Sequence, residues 1–468
     1  MSVYKACDIR GAVDQLTPEL YRAWGHWLAR QVPPGAGFLA GGDVRQTTEV
    51  FLAALIDGLV EGGAAAVDLG TVPTPVAWFA GQHLGAAGVA VVTASHSPPD
   101  VNGLKWSVAG RPPAEAQIQA LAAAVATDGG LMAGGAAMGA PTRPGSRTRL
   151  APLAAYEQAL GRRWRTEAVT GRAVLDPGSG CWAGPAARIL RAVFPALAVT
   201  AIHDVPDGRF RARNPDSSRA EHLTALCAAV VAQGADIGIA FDGDGDRVSL
   251  VDGEGVVLGP EETSWVLVQS LAPEWPGRTF VHDIKCSDRI AAEVRRLGGQ
   301  PEAQRSGHAF IRARMIEKQA LFGAEVSGHY FYGELAGGDD GLFTACRVLD
   351  SLARTGLSLA TARRQVPPIY ATPDLRLPVP VAEQETWLAQ VRDAFAARPQ
   401  SALDGVRVDF GDGWALVRRS VTAAELTFRF EGDSAAALDR VVAEFSRGLG
   451  GLGARLAPLY ARQKAGEP

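Results

Sequence analysis

Asp242, Asp244 and Asp246 alternate with glycines directly after an apolar run. If the backbone stays extended there, a period of two projects all three carboxylates to one side. That much hard oxygen holds Mg²⁺ and leaves coordination positions for a substrate phosphate. An EF-hand calcium loop does not fit, because its sixth position would be Arg247 instead of Gly and its twelfth Gly253 instead of Glu. A solvated acidic turn is the other reading, but three carboxylates so close repel one another without a cation. A second stretch, Val89 to Lys105, sets Ser95 beside His96 and reaches Lys105 after a turn. One hydroxyl, one proton carrier and one fixed cation in a single exposed loop are the ingredients of transfer through a serine.

Glu325, Ser327 and His329 alternate in the same way, with Gly328 relaxing the backbone between them. A carboxylate and a hydroxyl two residues apart can grip neighbouring hydroxyls of a sugar, while His329 hands over a proton. Ser306-Gly307-His308, preceded by Arg305, is another polar loop with a titratable side chain. Taken singly, these stretches also read as a Pro-rich surface turn, a plain loop and a satisfied structural imidazole. Their agreement along one chain gives them weight.

These residues need elements to position them. Small β-branched residues from Val89 to Val92 read as a buried strand that ends where Ser, Pro, Asp, Asn and Gly begin, so the serine loop leaves a sheet edge. Gly37 to Val44 reads as another strand with Arg45 at its exit. Glu49 to Glu61 has helical apolar spacing and stops at Gly62 and Gly63, and a second helix falls near Pro75 to Leu84. Asp128 to Arg147 is rich in Gly, Pro and Ala and reads as a boundary or long loop. The α/β pattern then restarts. A strand at Ala173 to Asp176 is followed by a helix with Leu223, Leu226, Cys227, Val230 and Val231 on one face. The strand Ala235 to Phe241 delivers the three aspartates. A third run contains the strand Thr279 to Ile284, the loop at Lys285, and Glu325 to His329. Prolines 367, 368, 373, 378 and 380 mark a linker, and hairpin signals around Val406 to Trp414 indicate a small α+β domain. The expected division is 1–147, 148–252, 253–366 and 367–468.

A chain of 468 residues exceeds one core and suits three or four domains. Its 47% hydrophobic and 21% charged content is that of a globular protein. A net charge of -4 argues against general nucleic-acid binding, so an anionic ligand must meet local Arg and Lys clusters. Cys7, Cys181, Cys227, Cys286 and Cys346 are odd in number and lack CxxC pairs, which fits a reducing cytoplasm better than a disulfide framework or a zinc site. The N-terminus has no apolar signal region and no long apolar run occurs, so neither secretion nor a membrane span is expected.

In order along the chain, Lys5-Ala6-Cys7-Asp8-Ile9-Arg10-Gly11, Thr93 to Pro99, Asn102 to Lys105, Asp242 to Arg247, Asp283 to Cys286, Ser306 to His308 and Glu325 to His329 resemble the α-D-phosphohexomutase superfamily, most closely its bacterial phosphomannomutase/phosphoglucomutase branch. The resemblance implies three consecutive α/β domains with mixed sheets plus a smaller C-terminal α+β domain, heart-shaped with a central cleft. It implies that Ser95 carries a phosphoryl group and joins Asp242, Asp244 and Asp246 around Mg²⁺. Arg10, Lys105, Arg247 and Lys285 would surround the transferring group, with His96 beside the serine. Glu325 and Ser327 would hold the sugar, and His308 and His329 are candidate acid/base groups. A hexose 1,6-bisphosphate is the implied intermediate and activator, the partner a small phosphosugar, and the state a monomer or weak homodimer.

The chain departs from that family in three places. The phosphate-binding loop of form Arg-x-Ser-Asn-Thr-x-Pro is here Arg418-Arg419-Ser420-Val421-Thr422-Ala423-Ala424, which keeps Arg418, Ser420 and Thr422 for the substrate but loses Asn and Pro. Val421 removes two donors and an acceptor, which predicts a weaker grip on the non-reacting phosphate. Cys7 stands where an aromatic residue is usual, and Ser97 replaces the Asn usual after Ser-His. Two other readings remain open: a phosphoglucosamine mutase, against which Val326 in place of Gln argues, and a catalytically weak phosphosugar-binding homologue.

Overall fold

The computed structural model describes residues 2–127, 144–420 and 424–465. Four sheets follow one another along the chain. The first orders its strands Ile9–Ala12, Val101–Val108, Gly88–Val92, Gly37–Gly42, Ala65–Thr71 and Ser146–Arg149. Its last four strands run parallel, and Val101–Val108 lies antiparallel to both neighbours. The second orders Val248–Asp252, Ile237–Phe241, Gly171–Asp176 and Leu197–Ala201, with only Val248–Asp252 antiparallel. The third sets Gln300–Gln304, Thr279–Asp283 and Phe322–Ala324 in parallel and returns antiparallel through Tyr330–Tyr332 and Gly338–Asp339. The fourth is wholly antiparallel. Three mixed α/β units and an α+β unit are thus present, as the sequence predicts.

Local sequence explains the elements. Thr48–Glu61 and Thr74–Leu84 are helical, the first stopping at Gly62 and the second at Gly85 in the left-handed conformation. Gly234, at φ +56°, ends Thr224–Gln233 in the same way. On that helix Leu226 and Val230 are buried, but Val231 is 59% exposed and Cys227 is half-buried, so the expected face is narrower. Leu223 precedes the helix in a 3₁₀ turn.

Two expected boundaries differ. Residues 128–143 of the Gly- and Pro-rich stretch lie outside the described residues, whereas Ser146 and Arg147 open a strand paired with Ala65–Thr71. The first sheet therefore continues past residue 147. The proline stretch is not only a linker, because Tyr370–Ala371 and Leu375–Pro378 pair with Glu425–Gly432 in the fourth sheet. Proline's fixed φ suits such short outer strands, where no partner needs its missing N–H.

One continuous apolar cluster runs through the first three units, from Leu39 and Val89 through Trp182 and Phe241 to Phe322 and Leu342. The fourth unit keeps its own core around Val417, Phe428 and Phe445. Ile284, Trp414 and Leu416 form a small apolar contact between third and fourth units. Among the described residues, no helix is long and apolar enough to cross a membrane.

Candidate active site

The chemistry-bearing loops leave the carboxyl ends of parallel strands, where open α/β sheets place their ligand sites. Ser95 follows Gly88–Val92, Asp242 follows Ile237–Phe241, Lys285 follows Thr279–Asp283 and Glu325 follows Phe322–Ala324.

The serine loop differs from the sequence expectation in two respects. Gly88–Val92 is an interior strand, not an edge, and Ser95 is fully buried. Gly243 of the aspartate loop covers it so closely that a Cβ there would stand 2.6 Å from the Ser95 carbonyl oxygen. Lys105 belongs to the returning strand Val101–Val108, opposite Val91. Ser95 Oγ donates to Asp242 Oδ2 at 2.7 Å, and His96 Nδ1 lies 3.3 Å from the serine Oγ. Burial and the Arg247 charge hold His96 well below the usual imidazole range, so its ring is neutral beside the serine.

The aspartates do not converge by staying extended. Asp242 to Asp246 form a bent loop, with Gly245 at φ +81°, joining two antiparallel strands in register Phe241 to Val248. The loop still brings one carboxylate oxygen from each aspartate within 4.8 Å of the others. Burial, Asp246 and Asp244 push Asp242 well above the usual carboxylate range. Against the upward push of burial, Lys105 holds Asp244 below it. Asp244 Oδ1 and Asp246 Oδ1 are buried with no hydrogen-bond partner, while Thr74 Oγ1 donates to Asp244 Oδ2 at 2.7 Å. Unpartnered carboxylate oxygens next to a serine hydroxyl fit a hard divalent cation with oxygen ligands.

Glu325 to His329 likewise form a tight turn, with the Glu325 N–H donating to the His329 carbonyl at 3.0 Å. His329 Nδ1 lies 2.6 Å from Asp339 Oδ2, and Arg247 Nε donates to His329 Nε2 at 2.9 Å. That pattern fixes a neutral ring with its proton on Nδ1. Burial lowers its pKa well below the usual value, overriding Asp246. His308 opens the helix His308–Lys318, and its Nε2 has no hydrogen-bond partner. Burial and Asp283 raise Glu325, and Ser327 Oγ is buried without a partner. Gly307, at φ +134°, presses on Cys7: a Cβ there would meet Sγ at 2.5 Å, so a small thiol suits the site.

A cavity of about 780 Å³ joins these groups, lined by Arg10, His96, Arg247, Lys285, Glu325 and Arg418 among others. His308, Ser327, His329 and Ser420 line it too. Ser95, Lys105 and the aspartates lie behind His96 and Arg247, and Thr422, with Val421 and Ala423, lies outside the described residues. Most cations here meet an acid that the sequence did not single out: Arg10 meets Asp8 at 2.7 Å, Lys285 meets Asp374 at 3.2 Å and Arg418 meets Asp404 at 2.7 Å. Arg429, also missed, pairs with Glu261. Asp8 did stand inside a quoted motif, but without a role; Asp374, Asp404 and Glu261 lie 89, 14 and 168 residues from their partners and outside every motif.

Three α/β units followed by a smaller C-terminal unit are the domain series of phosphoglucomutase/phosphomannomutase proteins. Sequence models of phosphoglucomutase/phosphomannomutase match in order: α/β/α domain I over residues 2–130, domain II over 155–255, domain III over 260–370 and the C-terminal domain over 377–448. The chain belongs to the phosphoglucomutase/phosphomannomutase family. It is 34% identical over 456 residues to a phosphomannomutase/phosphoglucomutase of Pseudomonas aeruginosa, covering 95% of this chain and 94% of that one. A phosphoglucomutase of Neisseria gonorrhoeae is 31% identical, with 95% of each chain covered. The crystal structure of a family protein from Burkholderia thailandensis superposes with a TM-score of 0.84 at 31% identity, covering 96% of each chain.

Proposed function

We propose that this protein interconverts hexose 1-phosphates and hexose 6-phosphates, of mannose and of glucose, through a phosphorylated Ser95 and a hexose 1,6-bisphosphate. The observation that carries the reading is the Ser95 hydroxyl on Asp242, beside Lys105 and behind a cavity ringed by cations. Phosphoryl transfer needs in-line placement and charge neutralisation more than covalent activation. Asp242, Asp244, Asp246 and the serine oxygen would hold Mg²⁺, which supplies neutralisation of phosphoryl charge when bound.

The remaining work falls to side chains of the chain. Lys105, Arg247 and Arg10 neutralise the transferring group from the protein side. Glu325 and Ser327 hold the sugar hydroxyls, and the raised affinity of Glu325 for a proton suits a group that donates to or accepts from a hydroxyl. His308, whose Nε2 makes no hydrogen bond and lies 3.9 Å from Asp8 Oδ2, is better placed to take a sugar proton than His329, whose Nε2 already accepts from Arg247. Lys285 lines the cavity with those cations around the transferring group, Arg418 and Ser420 face the non-reacting phosphate, and Thr422 completes that loop in sequence. After the first transfer the bisphosphate turns over and returns its other phosphate to Ser95. Glucose and mannose differ only at C2, so a loop that reads other hydroxyls accepts both.

With the first boundary of the division 1–147, 148–252, 253–366 and 367–468 moved beyond Arg149, where the first sheet ends, the serine, the metal loop, the sugar loop and the altered phosphate loop fall in separate units. One chain supplies every group named, so a monomer suffices, and five unpaired cysteines favour a cytoplasmic site of action. A coupled assay with Mg²⁺ and a bisphosphate activator, run on glucose, mannose and glucosamine 1-phosphates, tests the reading. Turnover of glucosamine 1-phosphate alone would make it a phosphoglucosamine mutase. No turnover by the phosphorylated protein would make it a binding homologue.

A further inference from the structure

Arg45 has no part in the chemistry above, yet it is only 2% exposed and all five of its N–H donors are engaged. Nε donates to Asp43 Oδ2 at 3.0 Å. Nη1 donates to the carbonyl oxygens of Pro98 at 2.5 Å and Val101 at 3.0 Å. Nη2 donates to those of Ser95 at 2.8 Å and Ser97 at 2.6 Å. Four of five acceptors therefore belong to Ser95–Val101, the loop that carries the serine and the first residue of the strand after it. Asp43 completes the frame. Its carboxylate accepts from the Arg45 N–H, from Thr48 Oγ1 and from Thr93 Oγ1, and Thr93 Oγ1 accepts from the Ser95 N–H at 2.9 Å.

The loop needs such a frame. Ser95 sits at φ +51°, a left-handed conformation that a residue with a β-carbon populates sparsely unless its surroundings impose it. The Arg45 guanidinium also lies 5.1 Å from the centroid of Phe210, whose ring stands 3.2 Å from where a Cβ on Gly243 would be. Arg45 thus touches both the serine loop and a ring packed under the aspartate loop.

We propose that Arg45, aligned by Asp43, is a positioning residue for phosphoryl transfer: it fixes the Ser95 backbone so that Oγ stays on Asp242. The proposal rests on the mutase reading. A lysine keeps the charge but offers three donors on a flexible stem, so it cannot span four carbonyls and an aspartate. A misplacement of about 1 Å at a reacting atom costs on the order of a hundredfold in rate.

The test compares full-length wild type with Arg45→Lys and Thr93→Val. The measurements are kcat and KM for glucose 1-phosphate with Mg²⁺ and glucose 1,6-bisphosphate, and amide hydrogen exchange across residues 94–101. Arg45→Lys is expected to lower kcat by about 10–100-fold with KM within about twofold. It should lose exchange protection in that loop while the other strands keep theirs, and Thr93→Val should move both readouts the same way by less. Wild-type kcat in both variants, or a raised KM at unchanged kcat, overturns the proposal. If Arg45→Lys does not fold, Thr93→Val decides by the same criteria. If wild type turns over no phosphosugar, the mutase reading fails separately, and unchanged loop exchange in the variants still overturns the clamp.

Discussion

Lys105 Nζ lies 2.8 Å from Asp244 Oδ2, a buried ammonium on the first sheet closing against a carboxylate from the second. The same nitrogen reaches Asp246 Oδ2 at 2.5 Å. Burial works against the charge on Lys105, but the aspartates outweigh it and raise its pKa. A divalent ion held by the three aspartates would therefore share its carboxylates with a cation of the chain.

Lys105→Met should then make folding depend on metal. Without its ammonium, the buried carboxylates lose their compensating charge, at a cost of about 3–5 kcal/mol in the presence of chelator. Added Mg²⁺ should restore much of that loss. Thermal unfolding over a Mg²⁺ titration measures it, and a response no steeper than wild type would speak against an ion on this acid trio.

Ser95→Ala should abolish turnover, by about a thousandfold or more, with little change in Tm. Peptide mass spectrometry after incubation with glucose 1,6-bisphosphate should find phosphate on Ser95. Ser97 Oγ instead accepts from Arg10 Nη1 at 3.1 Å. Phosphate confined to Ser97 would reverse the assignment.

Val421→Asn restores two donors and an acceptor to the phosphate loop. It should lower KM for glucose 1-phosphate by about 5–10-fold and leave kcat within about twofold, the signature of added uniform binding. An unchanged KM would show that the loop's grip does not depend on that position.

Glu431 gives a pH signature at the junction of third and fourth units. It accepts from Ser287 Oγ at 2.9 Å, near Asp288, Arg407 and Arg429, and burial pushes it up to about 7. The folded state thus binds a proton that the unfolded chain, near 4.5, releases earlier. Its contribution is fully present below about 4.5 and is lost as pH rises through about 7. Glu431→Gln should flatten the fall in stability over that window and raise stability at pH 8 by about 1–3 kcal/mol. Asp340, also pushed up to about 7 by burial, leaves a residual slope. Identical Tm profiles for variant and wild type would rule out Glu431 as the titrating group.

The apolar runs ending in polar loops made the strands carrying Ser95, Asp242 and Lys285 legible, because strand period and glycine stops are local properties. Loop shape was not. The sequence suggested extended backbone at Asp242 to Asp246 and at Glu325 to His329, whereas both stretches turn, since each joins antiparallel strands whose register decides the path. The depth of Ser95 was equally hidden, because the residue covering it, Gly243, comes from another unit.

By itself the sequence determined which residue types could act, their order, and the alternation of strands and helices that delivers them to loops. It also showed the lost Asn at Val421. Only the tertiary structure decided that Lys105 faces Asp244, that Arg247 occupies Nε2 of His329, and that Arg45 gathers the serine loop's carbonyls. Periodicity acts over a few residues, whereas each of these contacts closes between separate strands and loops, where packing and the pairing of buried charges set the partner.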